Sequence, residues 1–233
     1  MGQVGPNEFE TALLLLTPLL RLSHGFEVDH IELHRQRQFS MLDYLEHMRA
    51  GDSPVFVFAH LLACHPPFVF DQEGKRVPDD IKKVSVEGIP FPLYADEKAY
   101  RRSYIRQMVY FTSRVRRVLE NILQRSNRAC IIVVQSDHGP GSRSDMLTSD
   151  NPHLQETMSI LNAYYFPGEA YGRLYSTITP VNTFRVILDQ YFGTSLGLLP
   201  DSSYFTTWQE PYRFVPISSK LDQLEAQRTT PNN

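Results

Sequence analysis

The run Gln135-Ser136-Asp137-His138-Gly139-Pro140-Gly141 sets a carboxylate and an imidazole side by side. Asp oxygen and His nitrogen are both good ligands for a divalent ion such as Zn²⁺ or Mn²⁺. Gly139 is expected to let the chain turn at once, so that both side chains meet at one spot. Taken alone, Asp-His-Gly also serves as an Asx-type turn closing a strand. A second run, His65-Pro66-Pro67-Phe68, fixes the backbone after an imidazole with two prolines, so the ring is held rather than swinging free. A held imidazole is suited to binding a phosphoryl or sulfuryl oxygen. On its own it is equally a rigid proline turn carrying an incidental His. Arg143 follows the Asp-His pair closely and is a further candidate contact for a substrate anion.

These residues need elements to position them. Residues 8–22 read as a short helix with Asn7 as N-cap. Residues 29–49 read as a longer one, with Ile31, Phe39, Leu42, Leu45 and Met48 at helical spacing and Gly51 as the stop. Residues 54–60 form a continuous apolar run, the pattern of a strand buried on both faces. A long loop follows over 64–96, rich in Pro, Gly and charge, which is the length of a functional loop. Residues 100–124 are the clearest helix, with Ile105, Met108, Val109, Val115, Leu119 and Ile122 as its apolar face. Residues 129–135 and 159–166 read as two further strands, and 183–191 as a helix preceded by Pro180. Alternation of buried strands and helices predicts an α/β fold, a three-layer α/β/α sandwich with a mostly parallel sheet. In such sheets ligands bind where loops leave the carboxyl ends of strands, the place of both His65 and the Asp137-His138 pair.

The order of these features resembles the C-terminal part of the alkaline phosphatase superfamily. The similarity runs over about residues 29–204: a buried strand near His-Pro-Pro-Phe, a helix, a buried strand ending Ser-Asp-His-Gly, then Thr179-Pro-Val-Asn-Thr-Phe-Arg-Val-Ile-Leu. The nearest likeness is to the sulfatase-like branch of lipoteichoic acid synthases and phosphoglycerol transferases. The resemblance implies that Asp137 and His138 bind a catalytic divalent ion (Mn, Zn, Ca or Mg) and that His65 contacts the substrate phosphate or sulfate. It implies a phosphate- or sulfate-ester substrate, with a lipid or glycan as the attached group. For a full-length member it also implies N-terminal membrane helices and a catalytic domain on the extracytoplasmic face of a bacterial-type membrane.

The family pattern further asks for an acidic ligand at the end of a first strand and for a Thr, Ser or modifiable Cys at a helix N-terminus. There a helix end and a metal lower the nucleophile's pKa. Neither is legible here. Thr11 and Thr17 fall in a leucine-rich helical run and Ser40 inside the next helix. The expectation is therefore a piece of a longer hydrolase or transferase that lacks its N-terminal portion. The alternative is a non-catalytic relative that binds an anionic glycan or lipid head group. The expected organisation is a helical lead-in over 1–50, the C-terminal part of a sulfatase-like catalytic domain over 51–217 and a polar, disordered tail over 218–233.

Other pairings are weaker. His30 and His34, and Asp43 and His47, stand at i, i+4, a metal-pair spacing more often met as helix decoration. His60 reads as a buried, hydrogen-bonded histidine, with support of a neighbouring ligand as the other reading. The arginines of the 100–124 helix, Arg101, Arg102, Arg106, Arg114, Arg116 and Arg117, suit a solvated face, and a formal net charge of -3 argues against a nucleic-acid partner. Cys64 and Cys130 lie in apolar runs and read as buried free thiols. The apolar run over 12–20 is about half the length needed to cross a bilayer, so the chain by itself is expected to be soluble, with membrane contact only through segments outside it.

Overall fold

The structure, a computed structural model, describes residues 30–49, 53–77, 97–140, 149, 154–207 and 209–229. The 8–22 helix, the 78–96 part of the long loop and Arg143 lie outside the described residues. The chain divides into two units, residues 1–127 and 128–233.

The first unit is built on helices α1 (His30–His47) and α2 (Glu97–Arg125). Ile31, Phe39, Leu42 and Leu45 of α1 pack into the core as their spacing predicts. On α2 the expected face holds at Val115 and Ile122, which pack against the core, and differs over the first half of the helix. Tyr100, Ser103, Gln107, Tyr110, Phe111 and Val118 are buried, while Ile105, Met108 and Val109 are exposed. The aromatic residues carry more area than the aliphatic ones. Tyr110 and Phe111 turn that stripe inward onto Leu42, Val69 and Phe70, and Tyr100 packs edge-on against Phe68. Glu46 closes the helix pair, pairing with Arg114 at 3.0 Å and Arg117 at 2.8 Å, while Arg125 donates to its carbonyl. Burial pushes the Glu46 carboxyl up, but the hydrogen bond and charge of Arg117 and the charge of Arg114 outweigh it and hold the group below its ordinary value.

Residues 54–60 do not form the expected buried strand. They are exposed, Phe56 and Phe58 each 81% so and His60 with them rather than in a core, and they belong to no strand among the described residues. An apolar run is a strand only where a neighbour takes its backbone N–H and C=O groups. The chain then turns through a cis Pro66-Pro67 peptide into a tight reversal. There Asp71 Oδ1 accepts from the amides of Glu73 and Lys75, both at 2.8 Å, and Phe70 bridges Arg76. Gly74, at φ 81°, lies under the Tyr110 ring, where a Cβ would stand 2.3 Å from Tyr110 Cε2.

The second unit holds β1 (Ile132–Gln135), α3 (Leu154–Met158), β2 (Asn162–Tyr165), α4 (Pro180–Tyr191), β3 (Tyr204–Phe205), β4 (Val215–Pro216) and α5 (Ser218–Thr229). The two described sheets each have two antiparallel strands, not the expected parallel order. The reason is local for β1 and β2. The chain that leaves β1 at Ser136 returns through α3 to Leu161, whose carbonyl accepts from Ser136 N at 2.9 Å. So β2 starts where β1 ends, with Gln135 opposite Asn162 and Ile132 opposite Tyr165. Phe166, Val186 and Ile187 form the core between this ribbon and α4, joined by Ile131, Val133 and Tyr164. Helix α4 begins three residues earlier than its apolar spacing suggests, with Pro180 as its first residue and Thr179 before it.

Residues 218–229, expected to be a disordered polar tail, form helix α5. Buried Ile217 anchors its start, Lys220 Nζ donates to Ser149 O at 2.6 Å, and Gln155 reaches Glu225. Polar ties to Ser149 and to Gln155 of α3 thus hold a helix that its own composition does not announce. No helix among the described residues is long and apolar enough to cross a membrane.

Candidate metal and anion site

Asp137 and His138 stand just past the end of β1, as the sequence predicts. Asp137 Oδ1 accepts the His138 amide at 3.0 Å, which fixes the carboxylate, and Oδ2 lies 3.7 Å from His138 Nε2. His138 Nδ1 is 2.7 Å from the Gly139 carbonyl oxygen. A carbonyl only accepts, so Nδ1 carries the proton and the lone pair of a neutral ring is on Nε2. Two electron-rich atoms therefore face each other. Both side chains are open, Asp137 81% and His138 58% exposed.

Four contacts hold this pair in place. Gly139 N donates to Thr157 O at 2.7 Å. Gly139 is buried, and a Cβ on it would stand 2.0 Å from Glu156 O and 2.5 Å from Ser159 O. The glycine is thus required by the close approach of another backbone rather than by a left-handed turn. Ser136 Oγ accepts from Leu161 N at 2.9 Å. Gln135 Nε2 donates to Asn162 Oδ1 at 3.0 Å and to Thr183 Oγ1 at 3.1 Å. Thr183 is fully buried and shares a 2.8 Å hydrogen bond with Tyr164 OH.

Helix α4 is pinned in turn. Asp201 Oδ1 accepts from the Thr179 amide at 2.8 Å and the Thr179 hydroxyl at 2.5 Å, and Oδ2 accepts from Tyr175 OH. Buried Asn182 donates to Asp201, to Tyr175 and to Leu199 O, and accepts from Leu199 N. Burial works to raise the Asp201 carboxyl, but the bonds from Thr179, Tyr175 and Asn182 outweigh it and hold the group below its ordinary value. The sequence reading did not single out Gln135, Thr183, Asn182 or Asp201. The polar pair Asn182-Thr183 inside the apolar run of α4 was the available signal.

His65 sits in the first unit. Its ring Nδ1 lies 2.5 Å from Pro66 O, so the same logic gives Nδ1 the proton and leaves Nε2 to a ligand. The ring is exposed at the tip of its loop. Gln107, 1% exposed, grips both ends of that loop: Oε1 accepts from Val69 N at 2.7 Å and Phe70 N at 3.0 Å, and Nε2 donates to Ala63 O at 2.7 Å. Phe68 is buried edge-on against Tyr100 and Tyr104. Neighbouring Cys64 is half-buried against Met108, and burial pushes its thiol up to about 11. It is protonated at neutral pH and unsuited to act as a nucleophile. Asp43 and His47 make a surface pair at 3.3 Å on α1, in keeping with the bland reading.

The family model Sulfatase matches residues 38–186, well over half of the chain, and the span includes His65, Asp137, His138 and Arg143. The chain belongs to the sulfatase family, and so to the alkaline phosphatase superfamily. No curated protein and no solved structure matches it.

Members of this family generally use divalent metal ions. The Asp137-His138 pair fits such an ion in kind and in spacing. Metal–oxygen and metal–nitrogen bonds of roughly 2.0–2.2 Å together span more than the 3.7 Å between Oδ2 and Nε2. The Nδ1–H bond to Gly139 O is the partner that ligating imidazoles ordinarily keep. No group of three or more His, Cys, Asp or Glu that could hold a metal ion gathers among the described residues, and two side chains fall short of the three or four that a bound divalent ion usually takes.

Proposed function

We propose that this chain carries part of the metal and anion site of an enzyme that cleaves or transfers phosphate or sulfate esters, of the lipoteichoic acid synthase and phosphoglycerol transferase type. The observation that supports it most is the His138 ring, whose Nδ1–H is committed to Gly139 O so that Nε2 faces Asp137 Oδ2. In this reading Asp137 and His138 hold a divalent ion (Mn, Zn, Ca or Mg). When bound, the ion supplies charge stabilisation at the transferring phosphoryl or sulfuryl oxygens. Asp137 remains an anionic ligand fixed by the His138 amide. The bond to Pro66 O orients the His65 ring, and the protonated ring donates from Nε2 to an ester oxygen. Arg143 is a further candidate donor for a substrate anion. The attached group is a lipid or glycan, and the site works on the extracytoplasmic side of a membrane.

The test is hydrolysis of p-nitrophenyl phosphate and p-nitrophenyl sulfate with and without added Mn²⁺. Metal-dependent release of nitrophenol that disappears in Asp137→Asn supports the reading. The open exposure of both ligand side chains favours a second reading, a domain that holds an anionic glycan or lipid head group without turning it over. Saturable binding of inorganic phosphate or sulfate with no release of nitrophenol from either ester would select that second reading.

A further inference from the structure

We propose that Gln107 is a positioning residue for His65, acting as a clamp from α2 on the loop that presents the ring. This rests on the reading of His65 as a ligand for the substrate anion. The loop over 64–68 contains two prolines, which lack N–H groups, and His65 is exposed on it. It cannot close on itself with a ladder of backbone bonds. The single amide of Gln107 does so instead, donating to the carbonyl before the loop and accepting from two N–H groups after it. All hydrogen-bonding atoms of the side chain except one N–H are used, in a site 1% exposed. A buried amide in this geometry is more specific than a core filler, because leaving Val69 N and Phe70 N unbonded is costly. Phe68 holds the inner side of the loop between Tyr100 and Tyr104. His65 is thus carried by a short segment fixed at both ends and in its middle, as a group that must meet a substrate oxygen requires.

The experiment compares the wild type with Gln107→Met, Gln107→Glu and Val118→Ala. Gln107→Met keeps the volume and removes all three bonds. Gln107→Glu keeps the acceptor for Val69 and Phe70 but loses the donor to Ala63. Val118→Ala is a buried change on the same helix that thins the apolar cluster around Val69 and Phe70 but removes no hydrogen bond to the loop, so it reports packing loss alone. Two quantities are read: the His65 ring resonance during titration with inorganic phosphate and with sulfate, and amide exchange at Val69 and Phe70. The expected result for Gln107→Met is anion binding weakened roughly 10-fold or more, with protection lost at Val69 and Phe70. Gln107→Glu should restore part of both. Val118→Ala should lower stability while leaving both readings near the wild type.

If Gln107→Met behaves like Val118→Ala in both readings, Gln107 is packing alone and the proposal is overturned. A wild-type His65 that ignores both anions would instead sink the ligand role of His65, and with it the functional part of the proposal. Exchange at Val69 and Phe70 would still decide whether the clamp exists.

Discussion

Gln135 Nε2 donates to the buried hydroxyl of Thr183 at 3.1 Å, tying the strand end that precedes Asp137 to helix α4, 48 residues further along the chain. The same hydroxyl meets Tyr164 OH, so one Thr side chain joins β1, β2 and α4 behind the candidate metal ligands. Thr183→Val keeps the shape and deletes that junction. It leaves Gln135 Nε2 and the half-buried Tyr164 hydroxyl each one partner short and should cost about 1 kcal/mol in urea unfolding. Thr183→Ser should recover most of the loss. Equal stability of Thr183→Val and the wild type would show that the junction contributes nothing.

Gly139 gives a sharper case. Its missing side chain is the space that Glu156 O and Ser159 O occupy. Gly139→Ala must push backbone against backbone and should destabilise by about 1–3 kcal/mol or more. It should also move the His138 ring, whose Nδ1–H bonds Gly139 O. Nuclear magnetic resonance of the His138 ring would register a changed tautomer balance. An unaltered His138 signal in a stable Gly139→Ala protein would contradict this placement.

The Asp201 carboxyl sets a pH dependence. Its folded pKa lies below the ordinary value, because hydrogen bonds to the anion outweigh burial. The folded state therefore binds a proton less readily than the unfolded chain. The resulting stability is fully present above the unfolded pKa, near 3.9, and is lost as pH falls through the folded value. Asp201→Asn should be less stable than the wild type at pH 7, and the gap should narrow as pH drops below about 4. A gap that stays constant down to that range would assign the loss to shape alone.

Much of this was readable from residue order. The helices α1, α2 and α4, the strands β1 and β2, and the Asp-His pair at the end of β1 all follow from apolar periodicity and turn residues. The antiparallel pairing was not, because strand direction is settled by where Ser136 and Leu161 meet, 25 residues apart. The buried face over the first half of α2 was misjudged because the apolar count followed Ile105, Met108 and Val109, while Tyr100, Gln107 and Tyr110 carry the burial there. A buried glutamine looks polar in sequence, and only the three backbone groups around it explain its place. Helix α5 was missed since Lys220 and Glu225 are held by partners far along the chain.

The central claim is that Asp137 and His138 share a divalent ion, and thermal unfolding in a titration with Mn²⁺ measures it most directly. Metal that binds only the folded chain raises its stability, by about 2.7 kcal/mol at about 100 times the dissociation constant. The predicted result is a saturable rise in Tm for the wild type that both Asp137→Ala and His138→Ala abolish, while a surface control such as Asp43→Ala retains it. No rise in the wild type, or the same rise in Asp137→Ala and His138→Ala, would contradict the claim that this pair is the metal site.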